Sequence, residues 1–405
     1  MHKLMNCEFN KFTKSKKNKL MLLVLIIYFI SLMIIYTIAN GKYFSKLERY
    51  MEEQQLHAEG HIRVINFQKQ ANEDQHLEYE IDPLELEFWN IEKITSIQLK
   101  HLYKTNKNED LKRILRVEIE KYENLLDGVE KGFISKASLD AREQSVSELK
   151  KQIILNNYLL ENDIVPLESP YKLTGINFLV LLLKDANPMI IIILLSLFCI
   201  DVFLNEMEEG SYKLHFTQPF TRKKIFISKI TTAILFTIGI VFALILIMFI
   251  ILSLINGVGS GDYPQTIAES NILFFLGNNL GNLNNIEITS SIHYIVLGHI
   301  MLLVLVISIT IITLAISIFT NSSSSTLGIL TSIFMMSFVL NTFGEEESLI
   351  NLFYPLSYLN IDAVLNAQVK SSYLLGLIVN LLICIILIIL SYKVLMKRDL
   401  LEVGS

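Results

Sequence analysis

The chain has 405 residues, of which 52% are apolar and only 19% charged, with a formal net charge of −5. Soluble domains carry about 25% charged residues, so this balance points to a membrane protein. Its basic residues are scattered or flank apolar runs and make no single basic face, which excludes a nucleic-acid partner. The cysteines are Cys7, Cys199 and Cys384, so the polar stretch 41–175 has none and folds without disulfides.

An apolar run of about twenty residues crosses the hydrocarbon core as a helix. After a tail over 1–19, the first such run covers 20–40. It is too long for a secretory signal, and no small-residue cleavage site follows, so it reads as an uncleaved anchor. Further spans are expected at about 187–204, 230–255, 294–319, 325–343 and 373–392, within a five-helix membrane region over 176–400. Ile176–Leu183 is apolar but is cut off by Lys184, Asp185 and Pro188, so it reads as a short interfacial helix. Pro188 then suits the first turn of the span that follows.

Lysine and arginine near span ends set the orientation. Lys3, Lys11, Lys14, Lys16, Lys17 and Lys19 place the N-terminal tail in the cytoplasm. Lys213, Arg222, Lys223, Lys224 and Lys229 do so for the loop after the second span, and Lys393, Lys397 and Arg398 for the tail 393–405. The loops Asn256–Ser291 and Gly344–Ser371 are acidic or neutral and belong outside. Six spans with both termini cytoplasmic satisfy all of these signals. Thr320–Ser324 is so short that the fourth and fifth spans form an antiparallel hairpin.

The fold expected is therefore an all-α membrane protein of six transmembrane helices, with a large helical extracytoplasmic domain between helices 1 and 2. In that domain Leu111, Leu115, Ile119, Tyr122 and Leu126 recur at helical steps. Leu139, Val146, Ile153 and Leu160 repeat every seven residues, and Gly128 and Gly132 punctuate the connection, predicting a helical hairpin. Lys42–Gln70 continues the first span as helix, and Tyr79–Trp89, with Pro83, reads as a loop or turn. Trp89 suits an interfacial anchor or core packing, and core packing is the more common role. The hairpin suits a self-packed stalk, or a lid over a substrate exit.

No G-x-x-x-x-G-K-[S/T] loop, H-E-x-x-H, C-x-x-C or G-x-S-x-G pattern occurs. His61, His76, His101 and His215 lack acidic or cysteine partners at ligand spacing, so no metal and no cofactor is expected. Nothing argues for an enzyme with its own catalytic centre.

The informative stretch is Asp201–Lys229. It sets Glu206, Glu208 and Glu209 just past a span, then Gly210, then Tyr212, Leu214 and Phe216 among polar residues. Pro219 and the basic run Arg222–Lys224 lead to Lys229 at the next span. A plain connector needs only a few polar residues. This amphipathic, doubly charged loop suits a surface helix that docks a soluble partner. Snorkelling lysines would account for Arg222–Lys224 and Lys229 but not for carboxylates so close to the bilayer. Asp201 and His299, inside spans, are candidates for a pathway or an interface, although a histidine near the outer face more often packs through a hydrogen bond. Phe353, Tyr354 and Pro355 suit a re-entrant turn or an ordinary outside loop with buried aromatics.

The order D-V-F-L-N-E-M-E-E-G-S-Y-K-L, then Q-P-F-T-R, then a lysine opening the next span, resembles the type 2 permeases of ATP-binding-cassette (ABC) exporters. Asp201, Glu206, Gly210, Pro219, Arg222 and Lys229 fall on that pattern, and the ending K-R-D after Tyr392 is similar to the family's usual end. The resemblance covers about 20–40 and 176–400 and implies a bacterial cell-membrane exporter subunit. A separate P-loop ATPase would dock on Asn205–Lys229, and a second permease chain, identical or related, would complete the pathway. Spans rich in isoleucine, leucine and phenylalanine suit a hydrophobic or amphipathic substrate, such as an antimicrobial peptide, a drug or a lipid-like molecule. The reading from another class is a membrane sensor or scaffold whose outside domain binds a ligand.

Overall fold

The computed structural model describes residues 2–75, 79–105, 110–140, 145–208, 221–268, 286–320, 322–343, 352–366 and 372–397. In chain order the helices are α1 (His2–Lys14), α2 (Lys16–Gln75), α3 (Pro83–Thr105), α4 (Leu111–Glu130), α5 (Lys136–Asp140), α6 (Val146–Glu161) and α7 (Gly175–Leu181). They continue as α8 (Asn187–Cys199), α9 (Asp201–Glu208), α10 (Arg222–Asn256), α11 (Ser291–Phe319), α12 (Ser323–Phe343), α13 (Ile361–Leu365) and α14 (Tyr373–Lys397). Two short paired strands, β1 (Pro264–Ala268) and β2 (Ile286–Ser290), lie between α10 and α11. The chain divides into two compact units. The first comprises Met1–Met33, Thr174–Tyr263 and Ile267–Ser405, and the second Ile34–Leu173 with Pro264–Thr266.

The first unit is a bundle of apolar helices, the form in which a backbone meets its own hydrogen-bonding needs in lipid. Among the described residues, five helices are long and apolar enough to cross a membrane: α2, α8 with α9 (Asn187–Asn205), α10, α11 and α14. The sixth expected span corresponds to α12, whose apolar stretch Ser323–Val339 is shorter. Of the most apolar window of each helix, 78% is buried in α11, against 28% in α10 and 33% in α14. Helix α11 is thus the central strut, packed by α7, α8, α9, α10, α12 and α14.

The apolar run before Pro188 does form its own short helix, α7, capped by Thr174 Oγ1 accepting from the Asn177 N–H at 3.3 Å. The chain then breaks at Asp185, whose φ is +55°. Asn187 fixes the restart: its Nδ2 donates to the Leu181 carbonyl at 2.8 Å and its Oδ1 accepts from the Tyr28 hydroxyl at 3.1 Å.

Between α12 and α14 the described residues form a buried return of two short helical pieces, a 3₁₀ turn at Pro355–Leu359 followed by α13. Leu356, Tyr358, Ile361, Val364 and Leu365 are fully buried there, whereas Phe353 is exposed. Broken backbone inside a bundle needs partners. Asn380 Nδ2 donates to the Pro355 carbonyl, Ser337 to Leu356 and the Tyr358 hydroxyl to Leu352. Gly376 makes the close approach possible, because a Cβ there would sit 2.4 Å from the Tyr358 ring.

In the second unit, α2 continues unbroken past the first span to Gln75, as expected for Lys42–Gln70. α3 packs on α4, and α4 on α6, around Ala58, Phe88, Trp89, Leu125, Leu139 and Leu149. Two expectations need correction. Tyr79–Trp89 is not a loop throughout: Pro83 opens α3, and the Asp82 Oδ1 accepts from the Leu84 N–H at 2.8 Å. Trp89 accordingly lies inside a helix, 2% exposed, stacked 3.8 Å from His61. The heptad from Leu139 is split as well, since Leu139 belongs to α5 and α6 starts afresh after Ser145, which caps it by accepting from the Glu148 N–H. Ser145 and Glu148 have the S-x-x-E spacing of a helix start, and that local signal overrides the seven-residue repeat.

The second unit also buries charge. Lys121 Nζ is 2.6 Å from Glu92 Oε2 and 3.0 Å from Ser96 Oγ, while Asn124 Nδ2 donates to Glu92 Oε1 at 3.0 Å. Both carboxylate oxygens and the ammonium have partners, the condition under which a buried ion pair is tolerated.

Candidate functional site

Charged side chains of the first unit gather around the two ends of the Asp201–Lys229 stretch. At one end Asp201 opens α9. Its Oδ2 lies 2.5 Å from Lys17 Nζ, at the start of α2, and its Oδ1 accepts from Ser323 Oγ, at the start of α12, at 3.2 Å. At the other end Lys229 sits in the second turn of α10. Its Nζ donates to the Val202 carbonyl at 2.8 Å, lies 3.3 Å from Glu8 Oε2 and faces the Phe203 ring at 5.4 Å. Lys229 is 2% exposed and Glu8 4%. A charge so enclosed must be paired, and this one is paired by a helix from the other end of the sequence.

That helix is α1. Glu8 and Phe12 are its buried face, and Phe12 packs 4.9 Å from Phe236 on α10. Phe198 of α8 joins the same ring cluster at 6.0 Å from Phe236. Asn18 Nδ2 donates to the Phe12 carbonyl at 3.1 Å, tying the end of α1 to the first turn of α2. A cleft lies among these groups, with Glu8, Phe12, Asn18, Asp201, Asn205 and Lys229 on its walls. Arg222 Nη1 reaches the Met396 carbonyl at 3.5 Å, and Phe226 lies 5.6 Å from Tyr392, so the start of α10 also holds the end of α14.

Of the residues singled out in the sequence, Asp201 and Lys229 meet at this cleft, whereas Arg222 is bonded to Met396 at the end of α14. Glu206 and Glu208 are carried in the last turns of α9. Gly210, Tyr212, Leu214, Phe216 and Pro219 lie outside the described residues. His299 stands apart. At 1.5 Å per residue it is roughly 30 Å along α11 from the helix end that meets Asp201's partner Ser323. Its Nδ1 hydrogen-bonds the Ile295 carbonyl at 2.9 Å, so Nδ1 carries the proton, and its ring lies 6.4 Å from Phe242.

Sequence reasoning missed Glu8 and α1 altogether, and read Lys17 only as an orientation signal and not as the partner of Asp201. Snorkelling would have sent Lys229 to water, and instead it is enclosed. The signal was present: Glu8 is the sole acid in residues 1–19, and Met5, Glu8 and Phe12 fall at helical steps.

This arrangement has no nucleophile or base poised over a reacting atom. What it offers is mechanical: the flanks of one loop are bonded to four other helices. The sequence matches the family described as ABC-2 family transporter protein over residues 5–400. The chain belongs to that family. Neither a curated protein nor a solved structure matches it. Chains of this family are multi-pass transport subunits that typically work with an ABC ATPase and generally carry no ATP site of their own.

Proposed function

We propose that the chain is the permease subunit of an ATP-driven exporter, powered by a separate ABC ATPase docked on Asn205–Lys229. In this reading six helices span a bacterial cytoplasmic membrane, both termini are cytoplasmic, and residues 41–175 form an extracytoplasmic domain. A second permease chain completes the pathway, and the cargo is hydrophobic or amphipathic, such as an antimicrobial peptide.

The observation that supports this best is the bonding of Asp201 and Lys229. A push on the loop between them is delivered to α1 through Glu8, to α2 through Lys17 and to α12 through Ser323. ATP-driven closure of the partner would so move several spans as one body, a two-state element that nucleotide can bias.

The test is co-purification with the ATPase and ATP-dependent transport in vesicles. Replacing Glu206, or the segment Tyr212–Phe216, is expected to abolish both. If assembly and transport survive those changes, the docking assignment fails. Cysteine labelling at Ser211 and Asp262 checks the topology, and labelling of Ser211 from outside would overturn it.

A further inference from the structure

At the shared end of α11 and α14 the helices part to leave a wide groove. Ile318, Phe319 and Val394 form its apolar walls, and Lys393 and Lys397 stand on its rim. The two lysines are one helical turn apart on α14 and both are exposed. Neither has a hydrogen-bond or ion-pair partner among the described residues. Phe319 is 52% exposed although it lies at the very end of the most buried helix of the bundle.

We propose that this groove binds the phosphate headgroup of an anionic phospholipid, with Lys393 and Lys397 holding the phosphate and Phe319 and Val394 receiving the first methylenes of the acyl chains. Lysines are common near the ends of membrane helices, and their number alone would make no site. Here they border a concave, apolar-walled space between two helices, the form in which basic groups recognise lipid phosphates.

Charge decides whether an anion is welcome. Two helix C-termini meet at the groove, each equivalent to about −0.5 charge. The lysines supply two positive charges, so the rim keeps a net charge of about +1. Asp201, which reaches the α11–α12 connection through Ser323, does not cancel it, being bonded to Lys17. Among the described residues, then, no anion complements the rim of the groove. The proposal requires only that α11 and α14 end at a bilayer surface, and it stands whichever leaflet that is.

The test is photo-crosslinking of the full chain in vesicles of phosphatidylcholine containing a photoactivatable phosphatidylglycerol, with labelled peptides mapped by mass spectrometry. Labelling is expected to saturate on the peptides that carry Phe319 and Lys393–Lys397. The double variant Lys393→Gln with Lys397→Gln is expected to bind about thirtyfold more weakly, from two lysines near a surface. Lys16→Gln with Lys19→Gln, an exposed basic pair at the start of α2, is expected to change nothing. Phe319→Ser is expected to weaken labelling while the lysines remain. Equal loss in both lysine double variants would overturn the site in favour of diffuse attraction. So would efficient competition by free glycerol phosphate. Labelling that appears only after Asp399→Asn and Glu402→Gln would assign the groove to the chain's own acidic residues instead.

Discussion

Glu8 and Lys229 are 221 positions apart in sequence and 3.3 Å apart in space, and each side chain is less than a tenth exposed. Removing one member of such a pair strands the other charge, at a cost of about 3–5 kcal/mol. Replacing both by apolar groups removes that penalty. Lys229→Met is therefore expected to melt at a clearly lower temperature than the native chain, and Glu8→Leu with Lys229→Met to recover most of the loss. Thermal unfolding of the solubilised protein decides this. A double variant no better than the single would show that the pair is not coupled.

Asp201 makes a different prediction, because it and Lys17 are partly solvated, at 17% and 36% side-chain exposure. Such pairs contribute at most about 1 kcal/mol to stability. Asp201→Asn is expected to leave the melting temperature almost unchanged but to lower ATP-dependent transport between about 5- and 150-fold, the range of ordinary coupling energies. Transport and melting measured on the same preparation separate the two effects. A large loss of stability with unimpaired transport per folded molecule would contradict the assignment.

Gly376 leaves no room for a side chain against Tyr358. Gly376→Ala is expected to destabilise the return between α12 and α14 by about 1–3 kcal/mol through overpacking. Faster amide exchange over 352–366 would report it, and Tyr358→Leu in the same chain should restore part of the protection. Unchanged exchange in Gly376→Ala would mean that the return is not held by this contact.

Glu118 of the second unit sets a pH dependence. Burial pushes its carboxyl above the ordinary value of 4.5, against the bonds from the Tyr103 hydroxyl at 2.6 Å and Asn156 Nδ2 at 3.0 Å. The folded chain then keeps a proton that the unfolded chain releases. Its contribution falls as pH rises from 4.5 through the folded value and is level above it. Glu52, Glu59 and Asp163, lowered by hydrogen bonds from Lys100, Gln55 and Lys112, act in the opposite sense and lose their contribution on acidification. Amide exchange of residues 111–161, corrected for intrinsic chemistry, should lose protection above pH 4.5 in the native chain and lose less in Glu118→Gln. Equal slopes in the two would exclude Glu118 as the source.

Much of the membrane unit was legible because one rule governs it: uncharged runs of spanning length become helices, and α2, α10, α11 and α14 follow from composition alone. Local chemistry was legible too where one residue decides, as Pro188 does at the start of α8. What was not legible depended on distance. Glu8 reads as one acid in a lysine-rich tail until α10 is beside it, and Lys229 reads as part of a docking loop or as a snorkelling end group. Pro83 reads as a breaker, which makes Tyr79–Trp89 a loop, whereas a proline in the first turn of a helix starts one. Of the site, the charged flanks of the loop were legible, but the helices to which they are bonded were not.

The enclosure of Lys229 also fixes an order of events during synthesis. Its carboxylate partner leaves the ribosome 221 residues earlier. At 5–20 residues per second that is a wait of about 10–45 s. For that interval Glu8 must stay hydrated at the bilayer surface, and α10 can settle with its lysine inside only by recruiting a segment made long before. The contact that seats α1 thus cannot form until α10 has been made.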